Sequence, residues 1–222
     1  MSSVNVLSEQ PVTGEKPGVG AAAILEAAIP LFAERGFEAV ALSAIAERAG
    51  VCKSNIFHHF GSKELLYVAV VRHACDHMAR LLDDVTSTGS FVDRVEHFAC
   101  GHMRNLMSHQ TLSRLILREF LDGDERRGRM PVEEIMGANF AKLVDIFRAG
   151  QKEGMVRKDL DPAALAVSLV AGSVFYFQVR SLLLHFPGAR SVDDPEVYSR
   201  AVVDIFLNGA LTEEQTEITD GK

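Results

Sequence analysis

The sequence contains no tryptophan and three cysteines, Cys52, Cys75 and Cys100. They are odd in number, widely separated and outside any CxxC spacing. They therefore support neither a disulfide framework nor a zinc knuckle, and a reducing, cytoplasmic setting is the expectation. Positive charge is also scarce: 23 Lys and Arg stand against 30 Asp and Glu, a formal net charge of -7. Such a chain is not coated with positive charge, so any nucleic-acid contact has to be local. The first twenty residues, MSSVNVLSEQPVTGEKPGVG, carry neither a basic start nor an apolar run, which excludes a secretory signal within them. Residues 1–19 read as a disordered arm. The most apolar stretch, Ala163 to Phe177, gives way to Gln178 and Arg180 after about 15 residues, short of the roughly 20 that span a bilayer. No membrane association is expected.

Catalytic signatures are missing as well. No GxSxG, Walker A or paired-cysteine motif is present, so no catalytic residue, enzyme activity or cofactor is assigned. Gly18-Val19-Gly20-Ala21-Ala22-Ala23 fits a loose GxGxxA fingerprint, but no strand precedes it, and without a βαβ unit it cannot place a pyrophosphate. His73 and His77 stand four apart, as metal ligands on one helix face would, yet Cys75 points elsewhere and no carboxylate completes the set. His97, His102 and His109 show no ligand spacing either, and no metal is expected. Finally, no β-branched run alternates with polar residues between turn signals, which leaves an all-α fold.

What is present is helical periodicity. Ile24, Leu25, Ala28, Leu31 and Phe32 mark one face of a helix from about Gly20 to Arg35, stopped by Gly36, with a kink or restart expected at Pro30. Short helices follow over roughly 42–49 and from after Val51 to about His59. Ser62-Lys63-Glu64 then opens a long helix bearing Val71, Cys75, Met78, Leu82 and Val85. Beyond the loop from Thr86 to Ser90, helices are expected at about 91–108, 111–121, 131–153, 161–185 and 194–210. Asp122 to Arg129 forms a connection, and Asp161-Pro162 and Asp194-Pro195 each supply an N-cap with proline at the first helical position. The expected organisation is a three-helix head over 20–65, a helical body over 66–211 and a frayed tail over 212–222.

The stretch from Leu42 to Phe57 has the layout of a helix-turn-helix: a short helix, a glycine turn and a second helix. Ile45, Ala46, Ala49, Val51 and Ile56 join the two, with Ala46 and Gly50 read as small because the helices cross closely. Lys53, Ser54, Asn55, His58 and His59 are left on the outer face, with the donors and reach to meet phosphates and base edges. The segment LFAERGFEAVALSAIAERAGVCKSNIFHHFGSKELLYVAV resembles the N-terminal signature of the TetR family of bacterial regulators, over roughly residues 22–71. Phe32, Gly36, Ile45-Ala46, Ala49-Gly50-Val51, Lys53, the cluster Phe57 to Phe60 and Ser62-Lys63-Glu64 carry the likeness.

The resemblance implies that the second helix enters the major groove of double-stranded operator DNA, that His59 and Lys63 meet phosphates, and that a dimer faces a palindrome. The expected DNA contacts are Ser43, Cys52, Lys53, Ser54, Asn55, Phe57, His58, His59 and Lys63. Three positions depart from the family pattern. Cys52 and Ala41 replace capping Ser or Thr, a loss of about 0.5 to 2 kcal/mol each unless packing or Ser43 compensates, and Phe57 replaces Tyr. The head is not basic: between residues 20 and 65, Arg35, Arg48, Lys53 and Lys63 face Glu26, Glu34, Glu38, Glu47 and Glu64. The function implied is a ligand-responsive regulator, most simply a repressor released by a small molecule. The alternative is a helical ligand- or partner-binding module that has lost DNA binding.

In the body the resemblance implies a cavity within helices four to eight and a homodimer through the last two helices. Independently, the nearly all-round apolar run from Leu165 to Phe177 and a stripe of Tyr198, Val202, Ile205, Phe206 and Gly209 need covering. Leu183, Tyr198, Val202, Ile205 and Phe206 are the expected interface. His97, Arg104, Arg118, Glu119, Asn139, Tyr176 and Arg180, polar positions within apolar helices, are the candidate effector contacts. Arg118 and Glu119 also suit ion pairs, and Arg180 suits a place at the dimer edge. Few polar anchors among aliphatic and aromatic walls fit a lipophilic or mixed effector.

Overall fold

The computed structural model describes residues 19–85, 89–122, 132–188 and 193–210. The arm, the tail and most of the Thr86–Ser90 and Asp122–Arg129 connections lie outside these residues. Among the described residues the chain forms nine helices and no strand: α1 Val19–Ala39, α2 Leu42–Ala49, α3 Lys53–Phe60, α4 Lys63–Val85, α5 Phe91–Ser108, α6 Gln110–Asp122, α7 Val132–Lys152, α8 Pro162–Leu183 and α9 Pro195–Ala210. The expected boundaries agree to within two residues for most helices. The termini are set by the chemistry anticipated for them. Asp161 Oδ1 accepts from Ala163 N at 2.9 Å, and Asp194 Oδ1 accepts from Glu196 N at 2.8 Å. Ser90 and Asp93 form a reciprocal capping box on α5.

Pro30 does not interrupt α1. The only non-helical residue inside that element is Gly36, at φ 76°. Proline removes a single hydrogen bond, to the carbonyl of Glu26, while Ala27, Ala28, Leu31 and Phe32 around it are buried and hold the helix in place. Gly50 also requires a different explanation from close crossing. A Cβ there would meet nothing within 4 Å, but its φ of 67° is the left-handed conformation that ends α2 and lets Val51 N donate back to Ala46 O at 3.0 Å.

Two apolar cores share α4. The first gathers α1, α2 and α3 around Ile24, Phe32, Ile45, Ile56, Leu66 and Val70, and extends to Leu115 of α6 and Val132 of α7. The second is built on Leu82, Val85, Phe91, Phe98, Phe147, Ala166 and Leu207. At 22 residues α8 is longer than its apolar run suggested, and by length and composition alone it could cross a membrane. Here it packs on α5, α7 and α9 and buries Leu165, Ala166, Leu169, Ser173 and Tyr176.

Helix α7 approaches α5 so closely that a Cβ on Gly150 would fall 2.6 Å from the Phe91 ring and 2.8 Å from Val156, whereas one on Gly137, earlier in the same helix, would meet nothing. Gly150→Ala is therefore expected to lose about 1 to 3 kcal/mol by overpacking. Gly137→Ala should gain about 0.5 to 1 kcal/mol from helix propensity. Urea denaturation of the two variants checks the pair.

Candidate nucleic-acid interface and effector cavity

Ile56 and Ile45 are fully buried and anchor α3 and α2 to the head core. Their burial fixes the rotation of α3, so that Lys53, Ser54, Asn55, Phe57, His58 and His59 all face solvent, as does Ser43 of α2. Arg48, exposed in the last turn of α2, is a further cation of the head that was not among the expected contacts. The missing caps are real. Neither Ala41 nor Cys52 makes a side-chain cap bond, and Ser43 does not substitute for one. Instead the Cys52 thiol lies 2.9 Å from Ser54 Oγ and 3.2 Å from Asn55 Oδ1, and hydrogen bonds from the Ser54 side chain first and then from the Asn55 backbone hold its pKa below the usual thiol value. Lys53 Nζ sits 5.8 Å from the centre of the Phe57 ring. Lys63 is half-buried. Its ammonium donates to the carbonyl of Glu38 at 3.2 Å and lies 4.5 Å over the Phe37 ring, tying the start of α4 to the end of α1.

Below the head lies a cavity of about 160 Å³ bounded by α4, α5, α6, α7 and α8. Its walls are apolar, among them Met78, Phe98, Leu117, Phe140 and Val170, and no Lys, Arg, Asp or Glu is among its described lining residues. Of the candidate effector contacts, Asn139 alone lines it; its Nδ2 donates to Cys75 O at 3.4 Å. The other six lie elsewhere. His97 and Arg104 are on the exposed side of α5. Arg118 reaches the head, donating to Glu34 O at 3.0 Å and Ala33 O at 3.5 Å, and Glu119 accepts the Tyr67 hydroxyl. Tyr176, fully buried, stacks on Tyr198 at 4.4 Å and accepts from Arg180 Nε at 3.1 Å, while Arg180 also binds Asp193 O. These side chains hold helices together rather than face the cavity.

The polar groups that do face it include His77, His102, Asn105, His109 and Ser113, which the search for ligand spacing passed over. A signal existed for His102. Phe91, Val95, Phe98, His102 and Leu106 recur every three or four residues, so His102 sits on the buried stripe of α5, whereas His97 falls off it. His77 and His109 stack at 4.2 Å in the wall between this cavity and a more open, polar cleft of about 700 Å³ that also touches Glu26 and Pro30 of α1. Arg80 can only donate, so His77 Nδ1, 3.1 Å away, accepts. Burial, then the neighbouring His109, holds the His77 pKa below its ordinary value. Burial also pushes the Cys75 thiol up to about 11. Among the described residues no three His, Cys, Asp or Glu side chains converge as metal ligands would.

The expected dimer residues divide. Tyr198 donates to Gly172 O at 3.2 Å, Val202 packs over the same glycine, and Phe206 meets Phe147, all within the chain. Leu183 is half-buried, and Ile205 is 73% exposed. Val197 and Ala201, about two turns and one turn before Ile205 on α9, are also exposed, as are Val167, Ala171, Phe175 and Leu182 of α8.

Residues 24–70 match the model of bacterial regulatory proteins of the tetR family, and residues 91–202 match that of a tetracyclin repressor-like C-terminal domain. The chain is 29% identical over 143 residues to the HTH-type transcriptional repressor KstR2 of Mycobacterium tuberculosis, spanning 62% of this chain and 70% of that one. The structure of the ketosteroid transcriptional regulator KstR2 from the same organism superposes with a TM-score of 0.65 at 22% identity, over 89% of this chain and 98% of the other. FadR of Bacillus subtilis in complex with stearoyl-CoA gives a TM-score of 0.70 at 18% identity, over 85% and 98%. AibR in complex with isovaleryl coenzyme A and operator DNA gives 0.65 at 18%, over 84% and 97%. At these identities the structural likeness concerns the fold alone.

Burial lowers the His102 pKa from 6.5 to about 4. Between those values the unfolded chain binds a proton that the folded one refuses, so stability is full above pH 6.5 and falls as the pH drops toward 4. Urea denaturation should show a contribution of about 2 kcal/mol lost between pH 7 and pH 5. His102→Leu should remove that part of the slope.

Proposed function

Because the chain belongs to the TetR family of bacterial regulatory proteins, it is a ligand-responsive DNA-binding transcription regulator, and we propose that it acts as a repressor released from a palindromic operator when a lipophilic molecule enters the cavity. The observation that carries this reading is the position of α6. Leu112, Ile116, Leu117 and Phe120 line the cavity, while Arg118 and Glu119 hold α1 and Tyr67 of the DNA-binding head. A cavity of ~150 Å³ holds one benzene ring. A larger ligand must displace its walls, and interiors this densely packed pass the displacement on. The dispositions of AibR, bound to an acyl coenzyme A and operator DNA, and of FadR, bound to stearoyl-CoA, support effectors of lipophilic character.

On the DNA, α3 presents Ser54 and Asn55 toward base edges, while Lys53, His58, His59 and Lys63 serve phosphates, with Ser43, Cys52 and Phe57 at the margins. The protein works as a cytoplasmic homodimer whose α8 and α9 pair across a two-fold axis, with the exposed row Val167, Phe175, Leu182, Val197 and Ile205 as its apolar centre. A bundle of four such helices covers both rows, and two heads then meet the two half-sites.

In gel-shift titrations with DNA from upstream of its own gene, at low and high salt, the protein should select a palindromic fragment. Asn55→Ala or Ser54→Ala should change the preferred bases at a cost of about 1 to 3 kcal/mol for the native site. Lys63→Ala should weaken all sequences alike. A protein that ignores every palindrome, with or without lipophilic ligands, contradicts the proposal. Ile205→Glu should give a monomer in sedimentation velocity and, with one half-site engaged instead of two, lower operator affinity by about a hundredfold.

A further inference from the structure

Within the cavity one group stands out. His102 is 3% exposed, its ring stacks nearly parallel on Phe98 at 5.7 Å, and its Nδ1 is buried without a hydrogen-bond partner. A polar atom left in that condition costs free energy unless something in the cavity satisfies it, and the cavity wall is where this ring lies. Because burial holds the imidazole uncharged at neutral pH, it offers a hydrogen bond and not a counter-ion. No Lys, Arg, Asp or Glu among the described lining residues offers one either, and enclosing an unpaired charge would be strongly unfavourable.

We propose that the part of the effector enclosed by this cavity is an uncharged hydrocarbon body bearing a hydroxyl or carbonyl oxygen, and that this oxygen pairs with Nδ1 of His102. A hydroxyl satisfies either tautomer of the ring, and a carbonyl satisfies the one protonated at Nδ1. Asn139 and Asn105 provide further hydrogen-bonding groups in the wall, whereas the Ser113 hydroxyl is already engaged with Leu106 O at 3.3 Å. The inference rests on the cavity being the effector site, as argued above, but it specifies the chemistry that the site accepts.

The test is a matched series built on one hydrocarbon body: tert-butylcyclohexane, 4-tert-butylcyclohexanol, 4-tert-butylcyclohexanone and 4-tert-butylcyclohexanecarboxylate. Binding to the full-length protein is measured by thermal shift and calorimetry at pH 7.5, with no DNA present. The alcohol or the ketone should bind at least tenfold more tightly than both the hydrocarbon and the carboxylate. In His102→Leu that advantage should vanish while the hydrocarbon still binds, which shows that the cavity remains formed; His102→Gln should retain part of it. A carboxylate that binds best, a preference unchanged in His102→Leu, or a series in which nothing binds overturns the proposal. Operator binding measured separately on the same preparations shows whether the regulator reading fails independently.

Discussion

Where α1 is interrupted at Gly36, the guanidinium of Arg118 donates to the carbonyls of Ala33 and Glu34, and Gly36 itself lets it approach, since its absent Cβ would lie 3.2 Å from Arg118 Nε. These two carbonyls, left without helical partners by the break, are satisfied by the guanidinium, and a cation there also complements the negative end of the helical segment. The bond matters beyond its own energy because of where Arg118 stands. Immediately before it on the same helix, Leu117 and Ile116 are part of the wall of the cavity. The contacts to the head and the wall of the cavity thus lie on two faces of α6, a helix that cannot bend locally without losing backbone hydrogen bonds.

Helix α4 repeats the arrangement. Its first half, from Leu66 to Cys75, belongs to the core of the head, and Leu82 and Val85 belong to the core of the body. Tyr67 sits in its first turns among Phe32 and Phe37, at 5.0 and 5.1 Å, and gives its hydroxyl to Glu119 of α6. Aromatic packing and a charge-assisted hydrogen bond therefore close a loop from α1 through α4 to α6 and back. The cavity lies beside that loop, walled by its α4 and α6 together with α5, α7 and α8.

The helical order, the turn at Gly50, the outward face of α3 and the caps on α4, α8 and α9 were legible in the sequence because each depends on residues within a few positions of one another. The lining of the cavity was not. Of the polar residues in apolar helices, Arg118 binds backbone carbonyls, Glu119 accepts the Tyr67 hydroxyl and Tyr176 pairs with Arg180, contacts that depend on which helices meet. His102 was weighed only for metal spacing, which asks about neighbours in sequence, whereas its place in the cavity wall comes from a periodic stripe on α5 and from walls drawn from five helices.

By itself the sequence determined an all-α chain with a helix-turn-helix and a locally polar reading face, since periodicity, glycine turns and capping residues are short-range properties of the chain. Tertiary structure alone decided that Pro30 would be tolerated, that Lys63 would be held by Glu38 and Phe37, that Tyr198 and Phe206 would pack inward while Ile205 stays out, and that an uncharged histidine would face an apolar cavity. Each of those outcomes depends on which helices meet and at what distance, and burial, pKa and cavity shape are properties of that meeting rather than of any one segment.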